Sequence, residues 1–299
     1  IIEVQLRDGS TATGLMQQIS DMMGVSKNPG GAAFKNSNCV VPINDIRGIE
    51  AMGYAKGEKI LRCKLAAVYR LIDLYGWTQG SSTLITARLN QDEEHFLVNP
   101  YGMLFHEITA SSLIKADMQG NIVEQGTSNF GVNLSAYSLH AAIHSARPDI
   151  KCIIHVHTPS VVAVSALKCG LIPISQESVV VGEVSTHPYT GSAIDPEEKD
   201  KITRNLGPNN KVLLLNNRGA VCCGETIEEA FFNAKNTVLA SESQLKLMPV
   251  GLDNLVLLSD ETRKKLYDAA HKAPESTPRP DQPSILEAKV ERKWRVGGV

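Results

Sequence analysis

Residues 146–158 read A-R-P-D-I-K-C-I-I-H-V-H-T, and the parsing of that string decides the fold. Arg147-Pro148-Asp149 closes a helical segment, because proline lacks an N–H and pushes the preceding residue out of the α region. Cys152 to Val156 then reads as a short apolar strand. His155 and His157 stand two apart along it, so both imidazoles point to the same face and converge on one spot. Two histidines so placed are a common zinc half-site that needs one or two more ligands. A structural pair is the other reading of the same spacing.

Working upstream, residues 134–146 keep a helical period, with Leu139, Ala142 and Ile143 on one face. His140 and His144 share a face at i, i+4, which is also a metal spacing, but surface or packing roles are the expectation. The strings S-T-L-I-T-A-R-L (82–89) and H-F-L-V-N-P-Y-G (95–102) are strand-like and separated by polar N-Q-D-E-E, a hairpin with a longer loop. Asp117 to Val123 is a second strand-turn-strand, with Gly120-Asn121 supplying positive φ. From Glu58, Leu61, Leu65, Val68 and Ile72 recur at helical intervals, and Gly76 stands where a C-cap belongs.

Downstream, Ser160 to Leu171 reads as a helix and Leu213 to Val221 as one more apolar strand. Thr226 to Leu247 is a long helix opened by a capping box, Glu229 lying three residues after Thr226. His187, in T-H-P-Y, is expected in a loop, with a place as substitute third ligand left open. Helices and strands interleave, so the class is α/β.

The chain divides into a leader over 1–55, partly helical or extended, a folded domain over 56–258, and a largely disordered neck over 259–299. Helical spacing runs from Gly14 to Val25 in the leader and breaks at Gly30-Gly31. A short amphipathic helix is expected after Ser259, followed by the proline-rich stretch 273–284 and a basic end around Trp294. A formal net charge of −2 gives no preference for nucleic acid or membrane. No apolar run approaches the roughly 18 residues of a membrane span, and no signal peptide is expected. Six cysteines without a C-x-x-C spacing, three of them in apolar runs, fit reduced buried thiols in the cytosol.

These motifs together resemble the class II aldolase and adducin family over about residues 58–248. The resemblance rests on G-W-T-Q-G-S-S-T-L-I-T-A-R (76–88), L-V-N-P-Y-G (97–102), L-H-A-A-I-H-S-A-R-P-D (139–149), I-I-H-V-H-T (153–158) and L-L-L-N-N-R-G-A-V (213–221). The adducin branch is marked by K-G-E-K-I-L-R-C-K-L-A-A-V-Y-R-L (56–71), T-A-S-S-L-I-K (109–115), L-I-P-I-S-Q-E-S (171–178) and K-W-R-V-G-G (293–298). The fold implied is a three-layer αβα domain with a mostly antiparallel central sheet. The strand-turn-strand signals near 84–98 and 117–123 point the same way.

Active members of that family use zinc to stabilise an enediolate, with a Glu as acid/base. Carried over by position, the first two metal histidines fall on His155 and His157. The third falls on Arg218, just before Gly219, and the Glu four residues before His140 falls on Ala136. The phosphate loop falls on Gly80-Ser81-Ser82-Thr83-Leu84, without its second glycine and its asparagine. A guanidinium lends no lone pair, and two like unit charges at 4 Å repel by roughly 4 kcal/mol at an effective dielectric of 20, twice that for a dication. Alanine moves no proton, and Thr83-Leu84 removes the turn glycine and amide that wrap a phosphate. The expectation is a vestigial pocket of His155, His157, Arg218, Ala136, Gly80 and Ser81, with no catalytic residue, cofactor or metal. Glu177 is the candidate carboxylate for Arg218.

The resemblance implies a non-catalytic head that self-associates as a homo- or hetero-oligomer, dimer or tetramer, and supports spectrin–actin assembly. Actin and spectrin contacts belong to the full-length protein, and calmodulin to a basic tail beyond residue 299. The place implied is cytoplasmic, in the cytoskeleton at the inner face of the plasma membrane, with peripheral membrane association and no nucleic acid. Two alternatives stand beside it: a zinc-dependent aldolase or epimerase of a small phosphorylated sugar, and a small-molecule sensor using the old pocket.

Overall fold

The computed structural model describes residues 41–47, 53–78, 83–89, 94–189 and 196–272. The expected leader helix at 14–25, the Gly80-Ser81-Ser82 part of the loop and the stretch 273–284 lie outside these residues. The chain divides into two units, Ile1–Pro42 and Ile43–Val299, and the described helices and strands all belong to the second.

Helix α1 (Lys56–Leu74) buries Leu65, Val68 and Ile72, the residues whose spacing predicts it. It ends at Gly76, whose φ of +69° only glycine adopts freely. That turn lets Gly76 N–H bond Asp73 O and Trp77 N–H bond Ile72 O, the paired closing bonds of a Schellman cap. Strands β1 (Ile85–Arg88), β2 (Phe96–Val98), β3 (Ile114–Ala116) and β4 (Ile122–Glu124) follow as an antiparallel meander, with a register shift at Lys115/Ala116. Helix α2 (Leu134–Ala146) leads to β5 (Cys152–Val156), which returns antiparallel against β1. Helices α3 (Pro159–Ser165) and α4 (Gln176–Val180), strand β6 (Val184–His187), helix α5 (Pro196–Leu206), strands β7 (Val212–Leu215) and β8 (Gly219–Gly224), and helices α6 (Ile227–Leu247) and α7 (Asp260–His271) complete the order.

The eight strands form one sheet, β4-β3-β2-β1-β5-β8-β7-β6. Only β6 and β7 run parallel among these pairs, so the sheet is mostly antiparallel. Its alternation sorts side chains into two layers of core. Ile85, Ala87, Cys152, Ile154, Ala220 and Cys222 pack with α1, α3 and α6 residues on one face. Ile153, Leu213, Leu215, Val221 and Cys223 pack with Leu139 and Ile143 of α2 and Ile202 and Leu206 of α5 on the other. This is the αβα sandwich that the family resemblance implies.

Four local expectations are corrected. Leu213 to Val221 is not one strand but the β7–β8 hairpin, because Asn217 takes φ +59° and Arg218 N–H closes on Leu215 O. Asparagine tolerates that conformation better than other non-glycine residues, so the apolar run folds back on itself. The helix from Ser160 stops at Ser165. Its last carbonyls are taken by i−3 bonds from Ala166 and Leu167, and the Ser165 hydroxyl accepts from Gly219 N–H. His187 is the last residue of β6 rather than a loop residue, buried with its ring between Glu198 (2.8 Å) and Asn205 (2.8 Å) of α5. The α6 cap is also shifted by one. Thr226 accepts from Glu229 N–H, but the Glu229 carboxylate reaches Glu225 N–H.

The meander is tied to α1 by Arg62, which is fully buried. Its guanidinium donates to Leu113 O (2.7 Å), Glu124 (3.0 Å) and Glu58 (2.9 Å) and stands over the Tyr54 ring. Arg62→Met strands that carbonyl and two carboxylates, and a loss of roughly 3 kcal/mol is expected in urea unfolding. Arg263→Met, whose ion pairs with Glu183 and Asp260 are exposed, should change stability by less than about 1 kcal/mol. Equal losses in the two variants would refute the assignment of Arg62 as a buried tie.

Candidate functional site

The site is assembled where β5, α2 and the β7–β8 turn meet. Strand alternation puts His155 and His157 on the α2 side of the sheet, as their spacing predicts, at 3% and 9% exposure. Their ring centroids are 3.9 Å apart, and His140 of α2 stands 6.2 Å from His155. His140 and His144 are fully buried and not surface residues. Both are bound to Thr86 Oγ1 of β1, each at 2.9 Å.

The hydrogen bonds fix which nitrogens carry protons. His144 Nδ1 lies 3.1 Å from Ile150 O, and a carbonyl only accepts, so Nδ1 bears the hydrogen. Neutral His144 then accepts at Nε2 from the Thr86 hydroxyl, and the same oxygen accepts from His140 Nδ1–H. His157 Nδ1 lies 3.0 Å from Arg218 O and donates by the same rule. Among the described residues, the Nε2 atoms of His140 and His157 are left as lone pairs with no partner, and both nitrogens of His155 are likewise unpartnered. Burial keeps these rings neutral. It pushes His140 down to about 3, helped by the neighbouring His157. It takes His157 to about 4, with the Arg218 charge adding to the fall, and holds His144 and His155 well below the usual histidine range.

Arg218 sits in the hairpin turn, its guanidinium 5.5 Å from the Tyr189 ring, and its buried Nε has no partner among the described residues. Among the described residues it makes no ion pair, so the expected carboxylate, Glu177 of α4, does not hold it. Ala136 lies one turn before His140 on α2, and its N–H is capped by Asn133 Oδ1. It packs, partly buried, against the core cluster that includes Leu84, Phe96 and Tyr137. Gly80 and Ser81 lie outside the described residues. Sequence reasoning missed Thr86. It faces Ile153 across β1 and β5, a pairing that only the register reveals.

A zinc ion does not fit this arrangement. Two imidazoles on one tetrahedral zinc hold their centroids about 5 Å apart, wider than the packed His155–His157 pair. His157 donates its Nδ1–H to the Arg218 carbonyl and keeps only Nε2 as a lone pair, and the Arg218 cation lies close enough to both rings to repel a second positive charge. No three His, Cys, Asp or Glu side chains converge as a metal-holding group among the described residues. Among those residues, too, no helix is long and apolar enough to cross a membrane.

Comparison with known proteins agrees with the fold. The aldolase II superfamily protein of Pseudomonas syringae superposes with a TM-score of 0.70 at 38% identity, covering 74% of this chain and 88% of that one. The L-fuculose 1-phosphate aldolase of Glaciozyma antarctica PI12 follows at TM-score 0.64 and 25% identity, covering 71% and 82%. In sequence, the chain is 60% identical over 275 residues to the Drosophila melanogaster protein hu-li tai shao, covering 92% of this chain and 24% of the relative. It is 50% identical over 271 residues to rat alpha-adducin, covering 86% and 37%. The chain thus spans well under half the length of these relatives. Residues 63–245 match the model of the class II aldolase and adducin N-terminal domain. With that match and those identities, the chain belongs to the class II aldolase and adducin N-terminal domain family.

Proposed function

We propose that this chain is the non-catalytic head of an adducin-like membrane-skeleton protein, working by self-association in support of spectrin–actin assembly at the cytoplasmic face of the plasma membrane. Arg218 carries the reading. The position that the family gives to a third metal-binding imidazole holds a permanent cation whose backbone carbonyl is bound to His157. With Ala136 one turn from His140, the pocket has neither the Lewis acid's third ligand nor a proton carrier in the expected place. Actin, spectrin and calmodulin are partners of the longer protein in this reading.

Two measurements test it. Calorimetry should find weak zinc binding by the unmodified chain and measurably tighter binding by Arg218→His, which supplies a third neutral nitrogen. Tight binding by the unmodified chain, unimproved by the new imidazole, would overturn the pseudoenzyme reading. For assembly, the turn after α6 leaves Leu247, Val250, Leu252, Val256 and Leu257 exposed, Val256 at 91%. Clustered exposed apolar residues favour partners. Light scattering on the chain at micromolar concentration should give a dimer or tetramer, and a clean monomer counts against the assembly role.

A further inference from the structure

We propose that the side-chain cluster of His140, His155, His157 and Arg218 binds a short hydroxy acid, with its carboxylate on Arg218 and its hydroxyls on the bare Nε2 atoms of His140 and His157. This goes beyond the assembly role and does not depend on it. Five buried polar atoms in this one place have no partner among the described residues: His140 Nε2, both nitrogens of His155, His157 Nε2 and Arg218 Nε. Buried polar groups in folded proteins are otherwise nearly always paired, so a concentration of unpaired ones marks a place built for something else to touch.

The character of the atoms selects the ligand. His140 Nε2 and His157 Nε2 are lone pairs, because Thr86 and the Arg218 carbonyl take the protons on the other nitrogens. They accept hydrogen bonds and so call for hydroxyl donors. Arg218 brings a planar cation with no anionic partner among the described residues, steadied over the Tyr189 ring. A guanidinium pairs best with a carboxylate or a phosphate oxygen pair. His155, neutral, offers one donor and one acceptor and serves either group. A bare anion leaves the lone pairs unmatched, and a polyol leaves the cation unmatched. A divalent cation is repelled by Arg218. A molecule with one carboxylate and neighbouring hydroxyls matches all of them.

Glycerate is the smallest such probe. Calorimetry on the whole 299-residue chain should give saturable binding of D-glycerate. Propionate, which lacks the hydroxyls, and glycerol, which lacks the carboxylate, should each bind at least about tenfold more weakly. Arg218→Met should weaken glycerate binding by a similar factor. The ligand series on the unmodified chain keeps the test decisive if that variant folds poorly. In the unmodified chain, glycerate should also shift the imidazole proton resonances of His140 and His157. No saturable glycerate binding at roughly 20 mM, equal binding of propionate, or inorganic phosphate binding as tightly as glycerate would each overturn the proposal. So would unchanged glycerate affinity in Arg218→Met. None of these results bears on oligomer mass, so failure here leaves the assembly reading to its own test.

Discussion

Gly219→Ala is expected to remove most of the stability of the head. Gly219 takes φ +130° at the start of β8, and a Cβ there would overlap the Val156 carbonyl oxygen and lie 3.4 Å from His157 Cα. Both neighbours are backbone of β5 and its end, the strand paired with β8 at the centre of the sheet, so no side chain can swing aside. Relief requires parting β5 from β8, and the Arg218 carbonyl would leave His157 as it happened. A loss above about 4 kcal/mol is expected, against a typical total of about 5–15 kcal/mol. Gly207→Ala is the control. Its φ is +71°, but nothing lies within 4 Å of the added methyl. Only the left-handed penalty of roughly 1 kcal/mol applies there. Denaturant unfolding of the two variants decides the matter, and a Gly219→Ala head as stable as the Gly207→Ala head would refute the packing described at the β5–β8 junction.

The second large effect is acid instability set by the buried imidazoles. His140 at about 3, His157 at about 4, and His144 and His155 well below their usual range all bind protons more readily in the unfolded chain. An imidazole with a depressed folded value contributes its full stability above about pH 6.5 and loses it as the pH falls toward that folded value. Each group can give up to about 1.4 kcal/mol per pH unit in that window, so four together can exhaust an ordinary domain's stability near pH 5. Carboxylates act lower. Asp149, held at about 2 chiefly by hydrogen bonds from Arg147, is lost only below the ordinary aspartate range. Unfolding free energy measured from about pH 7.5 to about pH 4.5 should therefore drop steeply below about pH 6.5, with a shallower slope in His140→Phe. A flat profile down to about pH 5 would mean that these rings are solvated and the tautomer chain through Thr86 does not exist.

Much of this is legible in the sequence where one period runs without competition. The helices at 56–74, 134–146 and 227–247 and the strand at 152–156 follow their apolar spacing, and strand alternation alone aims His155 and His157 at one spot. The β7–β8 hairpin is hidden because its turn is Asn216-Asn217-Arg218, with no Gly or Pro before Gly219 to interrupt an apolar run. His187 resembles a loop residue because Pro188 follows it, yet a strand can run up to the residue before proline. The link from His140 through Thr86 to His144 requires the offset between β1 and β5. That offset is set by packing between segments far apart in the chain and leaves no local mark. The resemblance points to Arg218 and Ala136 by position, but the bond from His157 to the Arg218 carbonyl leaves no mark in the sequence.

The two ends of the sheet limit how copies of this head can join. An open edge strand is a template on which another chain can add, and long flat edges invite runaway aggregation. At one end β4 has three residues, beside the register shift at Lys115/Ala116, which leaves too short and too twisted a row of free backbone groups for a second sheet to grow on. At the other end β6 is bound sideways to α5, through Ser185 to the Leu206 carbonyl and His187 to Glu198 and Asn205. Among the described residues, both edges are short, three residues at β4 and four at β6, and offer little for strand-to-strand growth. Within the described residues, contacts between copies fall to side chains on helices and turns, which favours a counted assembly over an open-ended fibre.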